Sequence, residues 1–571
     1  MTMKIERIDS IPLLMSILSR MGVAEVIDSI FLSHGNWSGL SYGQLTVLFI
    51  TYVLHSLTHH FSGMESWLNQ HKTVIERSSG WDVVVKDASD DRLGRLSEVL
   101  GESNDTIEEF HIRMGQRLIN AYELPTGVGR YDTTSFNVYH NIENRGKGIL
   151  NFGHSKDKRP DLLQYKQGLA VLDPAGVPIL SETLCGNIAD DPCYLPAWRR
   201  MVKTIGSPEF VFIADCKAAS CETRAAIDCE KGYYLFPLPM TGQIPREIEE
   251  LVINQPELLQ VIEVPDGADK RVVGKGFVVE KQISGHSGNE VEHQWTEQWM
   301  VTRSDAHAKR QEKSFTERIQ KAEKKLAALN ARKEESLDAF RTRAAKIVQD
   351  YKVERYIRFE VKESRTTSKK YLVRGRPYPD SPHQVVETRR FSLMFDRDCD
   401  AVDNFLLLAG WRVYVTNMSS DRMTLVQSTL YYRDEWLVER GFHRFKNGSI
   451  PVLPLFLRIP ERIRGLMLLL TIALQVLTLI EFVSRKELSE RQETLSGLVP
   501  GNPKMKTPRP TAERLLAQFD NLHLLMEEKG KDISGVVVEV LTSLQKKILA
   551  LLKLPETIYD LSFKCEIKQE L

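Results

Sequence analysis

Two features are scarce in this 571-residue chain: cysteine, and an excess of charge of either sign. The seven Cys residues are scattered, odd in number and form no CxxC pair, so neither a zinc ribbon nor a disulfide framework is predicted. This usage favours a reducing cytoplasm. Lys plus Arg and Asp plus Glu each number 76, which gives a formal net charge of +0. The whole chain therefore does not indicate a polyanionic partner, and any basic surface must be local.

Targeting and membrane signals are also sparse. The N-terminus lacks a basic flank followed by an apolar run and a small-residue cleavage site, so we expect no secretory signal peptide. One apolar run, residues 465–483, approaches the length that crosses a bilayer. It carries the polar residues Thr471, Gln475, Thr478 and Glu481. A single run of this kind in a polar chain predicts a buried core helix, with a transmembrane helix as the alternative, and we expect no membrane partner.

The composition is otherwise that of a folded soluble protein, 42% hydrophobic and 27% charged. This length exceeds what one hydrophobic core supports, so about three or four domains are expected. Residues 1–125 are predicted to be mostly helical, and Ser41 with Gln44 forms a capping-box pattern before an apolar run. This helical N-terminal domain is a candidate for DNA binding, and a packed structural domain is the alternative.

The pattern changes at residue 126. β-Branched, aromatic and apolar runs predict strands, and amphipathic runs predict helices. The strands are predicted at 128–139, 167–173, 177–180, 210–215 and 232–239, and the helices at 195–205 and 220–230. The resulting order predicts an α/β core with a mixed sheet over residues 126–240.

Residues 241–428 are predicted to form a β-rich insertion that carries a helical arm over residues 305–350. The arm contains no glycine, and an apolar heptad seam runs through Phe315, Ile319, Ala322, Leu326 and Leu329. Residues 309–346 contain 12 Lys or Arg and 6 Asp or Glu. The mixed signs favour a solvated helical hairpin or coiled-coil arm. The basic excess supports the alternative, an arm that binds DNA phosphates.

Residues 429–490 are expected to complete the α/β core, and residues 491–571 to form a helical C-terminal region with a final helical pair over 533–553. The first segment contains YYRDEWLVERGFHRFK, residues 431–446. Trp436, Glu439, His443 and Lys446 follow one another there at steps of three, four and three, which places them on or near one helix face. That face is either a salt-bridged surface or a site for metal and phosphate.

Three acidic residues are distinguished by their positions. Asp132 lies within a strand pattern, Asp215 ends the most apolar strand, and Glu439 lies on the helix just described. Taken singly, Asp132 could face solvent on an edge strand and Asp215 could cap the next helix. Glu439 could pair with His443 one turn on. Taken together, they are the oxygen ligands that Mg²⁺ or Mn²⁺ prefers, and two such ions can clamp the oxygens of a phosphodiester displacement.

These residues resemble those of the DDE transposases of bacterial insertion sequences. The resemblance is carried by YDTTSF around Asp132, by GLAVLDPAGVPIL followed by GNIAD, by FIAD at Asp215 and by residues 431–446. One branch of that family has a signature of Tyr, two residues, Arg, three residues, Glu, six residues and Lys. Tyr432, Glu439 and Lys446 fall in register with it, whereas Glu435 occupies the Arg position.

The resemblance implies an RNase H-like core, interrupted by a β-rich insertion before the catalytic Glu. It also implies Mg²⁺- or Mn²⁺-dependent cleavage at transposon ends and strand transfer into target DNA. The residues implied to hold two metal ions are Asp132, Asp215 and Glu439. Lys446 and Tyr432 would contact the DNA backbone, and Arg433 either replaces the missing Arg or that contact is absent. Trp411 is a candidate for stacking on a flipped base, with a core position as the alternative.

Synapsis of two DNA ends implies at least a homodimer on DNA. Two other functions remain open: an RNase H-like nuclease without strand transfer, and a catalytically inactive DNA-binding relative.

Overall fold

A computed structural model describes residues 2–146, 148–254, 256–266, 269–287, 291–330, 336–372, 375–376, 378–379, 382–529 and 532–562. The architecture is mixed α/β, with a nine-stranded mixed sheet flanked by helices. The predicted α/β class is confirmed at this level.

The chain begins with a short strand, β1 (Thr2–Arg7), and continues as a helical region. The helices are α1 (Ile11–Met21), α2 (Val23–Ile30), α3 (Tyr42–Ser56), α4 (Met64–Gln70), α5 (Lys72–Ser79), α6 (Asp90–Leu100) and α7 (Asn104–Tyr122). The capping box predicted at the start of α3 is confirmed. The Gln44 amide donates to Ser41 Oγ at 3.1 Å, and the Ser41 amide donates to Gln44 Oε1 at 3.0 Å. This region is mostly helical, as predicted, apart from β1.

The α/β core follows in the predicted order of elements. It comprises β2 (Val128–Val138), β3 (Leu163–Leu172), β4 (Val177–Cys185), α8 (Tyr194–Ile205), β5 (Val211–Ile213), α9 (Cys221–Cys229) and β6 (Tyr233–Pro237). In space the strands are ordered β4-β3-β2-β5-β6. β3 runs antiparallel to β2 and β4, whereas β5 runs parallel to β2 and β6. This arrangement makes β2 a central strand with one antiparallel and one parallel neighbour.

The predicted insertion extends the core sheet rather than standing apart from it. Its elements are α10 (Ile244–Asn254), β7 (Gln260–Asp266), β8 (Asp269–Ser287), β9 (Val291–Ser304), α11 (Asp305–Leu329), α12 (Leu337–Asp350), β10 (Ile357–Tyr371), β11 (His383–Arg397), α13 (Cys399–Leu408) and β12 (Trp411–Thr416). β12 pairs antiparallel with β6, and β9, β8 and β7 follow it in the same sheet. The core strands and the strands of the insertion therefore form one continuous sheet.

The helical arm has its own small core. The heptad-seam residues predicted on α11 are all buried, against Phe340 of α12 and Leu393 of β11 among others. β10 and β11 form a separate antiparallel pair whose apolar side chains complete this cluster. The prediction of a helical arm is confirmed for α11 and α12, while residues 331–335 lie outside the described residues.

The chain then returns to the core through α14 (Leu425–Arg433), α15 (Trp436–Asn447) and α16 (Pro460–Glu490). α16 is long and apolar enough to cross a membrane, yet 89% of its most apolar window is buried inside the protein. Its polar groups find protein partners: Thr471 Oγ1 donates to Ser181 Oγ at 2.8 Å, and Gln475 Nε2 donates to the Pro178 carbonyl at 2.8 Å. Both partners belong to β4, so α16 is the core helix that the sequence predicted.

The prediction of a helical C-terminal region is wrong in part. Helices α17 (Ala512–Leu516) and α18 (Ser543–Leu551) enclose two strands, β13 (His523–Lys529) and β14 (Asp532–Val538). β13 pairs antiparallel with both β1 and β14, which joins the start of the chain to its end. The apolar β-branched run at residues 536–538 favours a strand, and its hydrogen-bond partners lie on β13. Residues 530–531 and 563–571 lie outside the described residues.

Candidate active site

Asp132 and Asp215 extend past the end of one parallel strand pair. β2 and β5 pair through residues 128–130 of β2, and Asp132 lies two residues further along. Asp215 lies two residues beyond the end of β5 at Ile213. Both side chains line one small cavity of about 20 Å³. The structure thus brings these two predicted residues together at the edge where α/β sheets place ligand-binding groups.

Asp132 is the one half-buried position of a strand that is otherwise buried. Its Oδ1 accepts a hydrogen bond from the Thr133 amide at 2.7 Å and lies 3.4 Å from Lys156 Nζ. Burial raises the pKa of Asp132; the Lys156 ammonium opposes that rise, and the Asp215 carboxylate adds to it. The alternative of a solvent-facing Asp on an edge strand is wrong, because β2 is central to the sheet.

Asp215 is held by its own turn and by a tyrosine. Its Oδ1 accepts hydrogen bonds from the Lys217 amide at 2.9 Å and from the Tyr194 hydroxyl at 2.5 Å. The first bond caps a short 3₁₀ helix, Cys216–Ala219, so the expected capping role is real. Both bonds end on Oδ1, and Oδ2 receives none from the described residues. Asp215 is therefore fixed in place while one oxygen stays available to a ligand.

Asp190 forms a charged cluster next to the two aspartates. Its carboxylate accepts from Lys166 Nζ at 2.6 Å, from Lys217 Nζ at 2.7 Å and from Thr133 Oγ1 at 3.0 Å. Burial alone would raise the pKa of Asp190, but the hydrogen bonds from the two lysines outweigh it and hold that pKa well below its usual range. This cluster links the residue after Asp132 to the turn after Asp215, and so fixes both strand ends relative to each other.

The third carboxylate in the cavity is Glu435 rather than Glu439. Glu435 lies just before α15 and lines the cavity together with Asp132, Asp215 and Val438. Burial raises the pKa of Glu435, and the negative charges of Asp132, Glu439 and Asp215 raise it further, against Arg130. Glu439 lies one turn further along, is exposed, and lines an adjoining larger cleft. Among the described residues Glu439 has no ion pair, so the expected pair with His443 is absent.

The predicted acidic triad is therefore assembled only in part. Across the described stretches of the chain, no group of three His, Cys, Asp or Glu side chains is close enough to hold a metal ion. Asp132 and Asp215 share a cavity, and Val438 occupies the part of α15 that faces them. Glu439 is directed to the cleft on the other side of Glu435.

The predicted DNA-contacting residues are scattered. Tyr432 lines both the cavity and the cleft, with its ring 4.6 Å from that of Tyr414. Arg433 is exposed in the cleft. Lys446 Nζ lies 2.9 Å from both carboxylate oxygens of Asp157 and lines neither space. In this conformation Lys446 fixes the loop that carries Asp157.

Trp411 is placed where it cannot stack on a base in this conformation. Its side chain is 3% exposed and its ring lies 6.0 Å from that of Phe277 on β8. The prediction of a DNA contact here is corrected, and the core alternative is the right one. The reason is that β12 joins β6 and β9 in the central sheet, which buries its first residue.

Several groups in the site were not predicted from the sequence. Lys217 carries a recognisable signal, because it follows Asp215 by two residues in the turn that Asp215 caps. Lys156 carries none, since the segment HSKDKR offers equivalent lysines and only the loop geometry selects one. Lys166 lies on a buried strand and is recognisable as a charge in an otherwise strand-like pattern.

Comparisons with known proteins add one distant likeness. No protein-family model matches the sequence, and no curated protein matches it. Among solved structures, the chain is similar to the piggyBac transposase synaptic complex with hairpin DNA, at 9% identity and a TM-score of 0.32. The match covers 89% of this chain and 79% of that one. A similarity of this extent establishes neither a shared fold nor a shared activity.

Proposed function

We propose that this protein is a DNA transposase of the DDE type. It would catalyse Mg²⁺- or Mn²⁺-dependent phosphodiester hydrolysis at the ends of a mobile element and strand transfer into target DNA. Asp132, Asp215 and Glu439 are the proposed catalytic and metal-holding residues. The relatedness to bacterial insertion sequences belongs to this proposal, as does a cytoplasmic location with the protein bound to DNA.

One observation carries the proposal: Asp132 and Asp215 emerge side by side from the parallel pair of β2 and β5. The sheet around them is ordered β4-β3-β2-β5-β6, with three antiparallel strands followed by two parallel ones. This order supports the RNase H-like core that the resemblance implies. α15, which carries Glu439, packs against β2 and β3 of the same sheet.

The residue types at the cavity are those that a hard divalent cation prefers, but in this conformation no three of the described carboxylates converge closely enough to hold one. Asp132, Asp215 and Glu435 offer carboxylate oxygens to one cavity, and neither His nor Cys lines it. Lys156 offsets the charge of Asp132, whereas Glu435 forms no ion pair among the described residues and has only the more distant Arg130 to oppose the acidic charges around it. When bound there, the metal would neutralise this charge and supply Lewis-acid activation of phosphoryl and water oxygens. Glu439 would join from the adjoining turn of α15.

The chain's own residues would do the positioning. The bonds from Tyr194 and the Lys217 amide hold Asp215 Oδ1, and Oδ2 receives no hydrogen bond from the described residues. The Asp190 cluster ties the two strand ends together through Lys217 and Thr133. Reactions of this class depend on positioning and charge stabilisation, and they require no side-chain nucleophile. A rigid pair of aspartates is what such positioning needs.

The test is a cleavage and joining assay with the full-length protein. DNA duplexes taken from both flanks of its coding sequence are incubated with Mg²⁺ and a supercoiled target plasmid. We expect nicked ends and end–plasmid joined products, and a loss of both by about 10²-fold or more in Asp132→Asn and Asp215→Asn. Asp161→Asn, an exposed loop carboxylate, is the matched control and should retain activity. Unchanged cleavage in Asp132→Asn would exclude the proposed metal site.

The same assay separates the alternative functions. Nicks without joined products would indicate a nuclease that has the same core but no strand-transfer step. DNA binding with neither product would indicate an inactive relative. Because two ends must meet for joining, we also propose at least a homodimer on DNA. Sedimentation with and without end DNA measures that state.

A further inference from the structure

A cleft of about 690 Å³ opens beside the carboxylate cavity. One wall comes from the inserted part of the sheet and the start of the arm: β8, β9, the first turns of α11, and β12. The other wall is α14 and the start of α15. Tyr432 and Glu435 line both spaces, so the cleft leads directly to the two aspartates.

The cleft concentrates positive charge in a chain that carries no net charge. The Lys and Arg residues that line it are Arg271, Arg303, Lys309, Arg310, Arg412 and Arg433, against the acidic residues Asp305, Glu435 and Glu439. Arg303 is engaged, since it bonds to the Ala409 carbonyl at 3.1 Å and to Glu312 at 3.2 Å. Within the described parts of the chain, Arg271, Lys309, Arg310 and Arg433 have no ion-pair partner, and all four are exposed. Their charge is therefore available to an anionic ligand.

Aromatic rings lie among these cations. Trp436 is 39% exposed in the cleft, and its Nε1 donates to Asp434 Oδ1 at 3.2 Å, which holds the indole at the mouth. Arg412 Cζ lies 5.9 Å from the centroid of the Tyr432 ring. Arg412 is half-buried and its Nη2 lies 3.4 Å from His307 Nε2, whereas Arg310 and Arg433 are exposed and form no ion pair in the described parts of the chain. An exposed indole beside such guanidinium groups is the combination that binds single-stranded nucleic acid, because bases stack while phosphates are neutralised.

We propose that this cleft binds an unpaired DNA strand next to the carboxylates, with Arg310 and Arg412 on its phosphates and Trp436 stacked on a base. This rests on the proposed function and adds the form of the substrate: a single strand. A duplex could use the cations but would leave Trp436 without a free base face.

The test measures binding without catalysis. Fluorescence anisotropy in EDTA compares a labelled single-stranded oligonucleotide with a blunt duplex of the same length at several salt concentrations. We expect tighter binding of the single strand and about tenfold weaker binding in Trp436→Ala. Arg310→Gln/Arg412→Gln should lower the salt slope for the single strand by about 1.4, from two lost phosphate contacts. The control Lys504→Gln/Lys506→Gln removes two exposed charges from a loop outside the cleft and should change neither value.

Three results of the binding assay would overturn the cleft proposal: equal or tighter binding of the duplex, unchanged single-strand binding in both cleft variants, or an equal loss in the control. Thermal unfolding checks that each variant is folded, which matters most for Arg412, because Arg310 is exposed whereas Arg412 is half-buried and contacts His307. Binding in EDTA is independent of the joining assay. Normal DNA joining by each of the two cleft variants would also contradict the cleft proposal, while the transposase proposal would remain supported. Single-strand binding through the cleft without any nicking or joining of DNA would contradict the transposase proposal and leave the cleft proposal intact.

Discussion

At the scale of single residues, the site contains one more carboxylate than the resemblance requires. Glu435 occupies the position of an expected Arg, and it shares a cavity with Asp132 and Asp215. Glu439 lies one helical turn away and is exposed. Two carboxylates on neighbouring turns of one helix can serve different steps. Under the proposed function, Glu435 would add to the negative field that attracts a cation, and Glu439 would act once DNA is bound.

We expect Glu435→Gln to weaken Mn²⁺ binding by about tenfold, because one uncompensated charge beside the two aspartates is lost. Glu439→Gln should change Mn²⁺ binding less and abolish DNA cleavage. The measurement is the rise in Tm with Mn²⁺ concentration, which reports binding to the folded state without any reaction. An Mn²⁺ response that falls as far in Glu439→Gln as in Glu435→Gln would contradict the placement of the two side chains.

The positions of the two aspartates in the site could be predicted from the sequence because the strand pattern fixed them. Asp132 and Asp215 were predicted because both lie at recognisable points of strand patterns, and parallel strands bring such points together. The partner of Lys446 could not be predicted. It depends on the path of the loop that presents Asp157, and no local pattern encodes that path. Helical spacing gives the face of a side chain but not what lies opposite it.

At the scale of elements, the order of strands and helices in the core was predicted, and the connection of the insertion was not. A strand pattern predicts that a strand forms, but contacts between residues distant in sequence determine which strand it pairs with, as for β12 and β6. The same limit explains β13 and β14, whose apolar residues could have formed helical faces in isolation. The pairing of β13 with β1 on one side and with β14 on the other decided the outcome.

The contact between α6 and α16 provides a prediction at this scale. Gly465 of α16 lies against the Ser97 backbone of α6, and a Cβ there would collide with the Ser97 carbonyl. Gly465→Ala should therefore destabilise the protein by about 1–2 kcal/mol, despite the better helix propensity of Ala, because a backbone contact cannot yield as a side chain can. The measurement is the free energy of unfolding in urea. Gly94→Ala on α6 is the matched control.

At Gly94 the added Cβ meets only the end of the Arg462 side chain, 3.1 Å away, which can move. Gly94→Ala should be neutral or stabilising by up to about 1 kcal/mol. Equal effects of the two substitutions would show that the close approach of the two helix backbones is not what requires glycine at position 465.

At the scale of the whole molecule, the two ends of the chain are joined through Asp9. Its buried carboxylate lies 2.6 Å from Arg7 Nε and 3.1 Å from His55 Nε2, and it accepts from the Asn521 amide at 2.7 Å. The Tyr559 hydroxyl donates to the Asp9 carbonyl at 3.0 Å. The N-terminal helices and the C-terminal region thus share one polar centre beneath the β1–β13 pair.

Asp9→Asn should lower the free energy of unfolding by about 1–2 kcal/mol at neutral pH, because the Arg7, His55 and Asn521 donors lose a charged acceptor that is itself buried, while the half-exposed Arg7 is partly screened by solvent. Burial would raise the pKa of Asp9, but the bonds from His55 and Arg7 hold it below the ordinary value of 3.8. Because the pKa of Asp9 is lower in the folded state, this stabilisation is complete above about pH 3.8 and declines as the pH falls through the folded-state pKa.

Urea unfolding from pH 7 to pH 3 measures this pH dependence of the free energy of unfolding. The difference in unfolding free energy between wild type and Asp9→Asn should shrink only at the acidic end of this range. The control is Asp520→Asn, because Asp520 lines the same cavity as Asp9. Its difference from wild type should not shrink in this way. A gap that stays constant down to pH 3 would mean that the Asp9 charge does not stabilise the junction of the two chain ends.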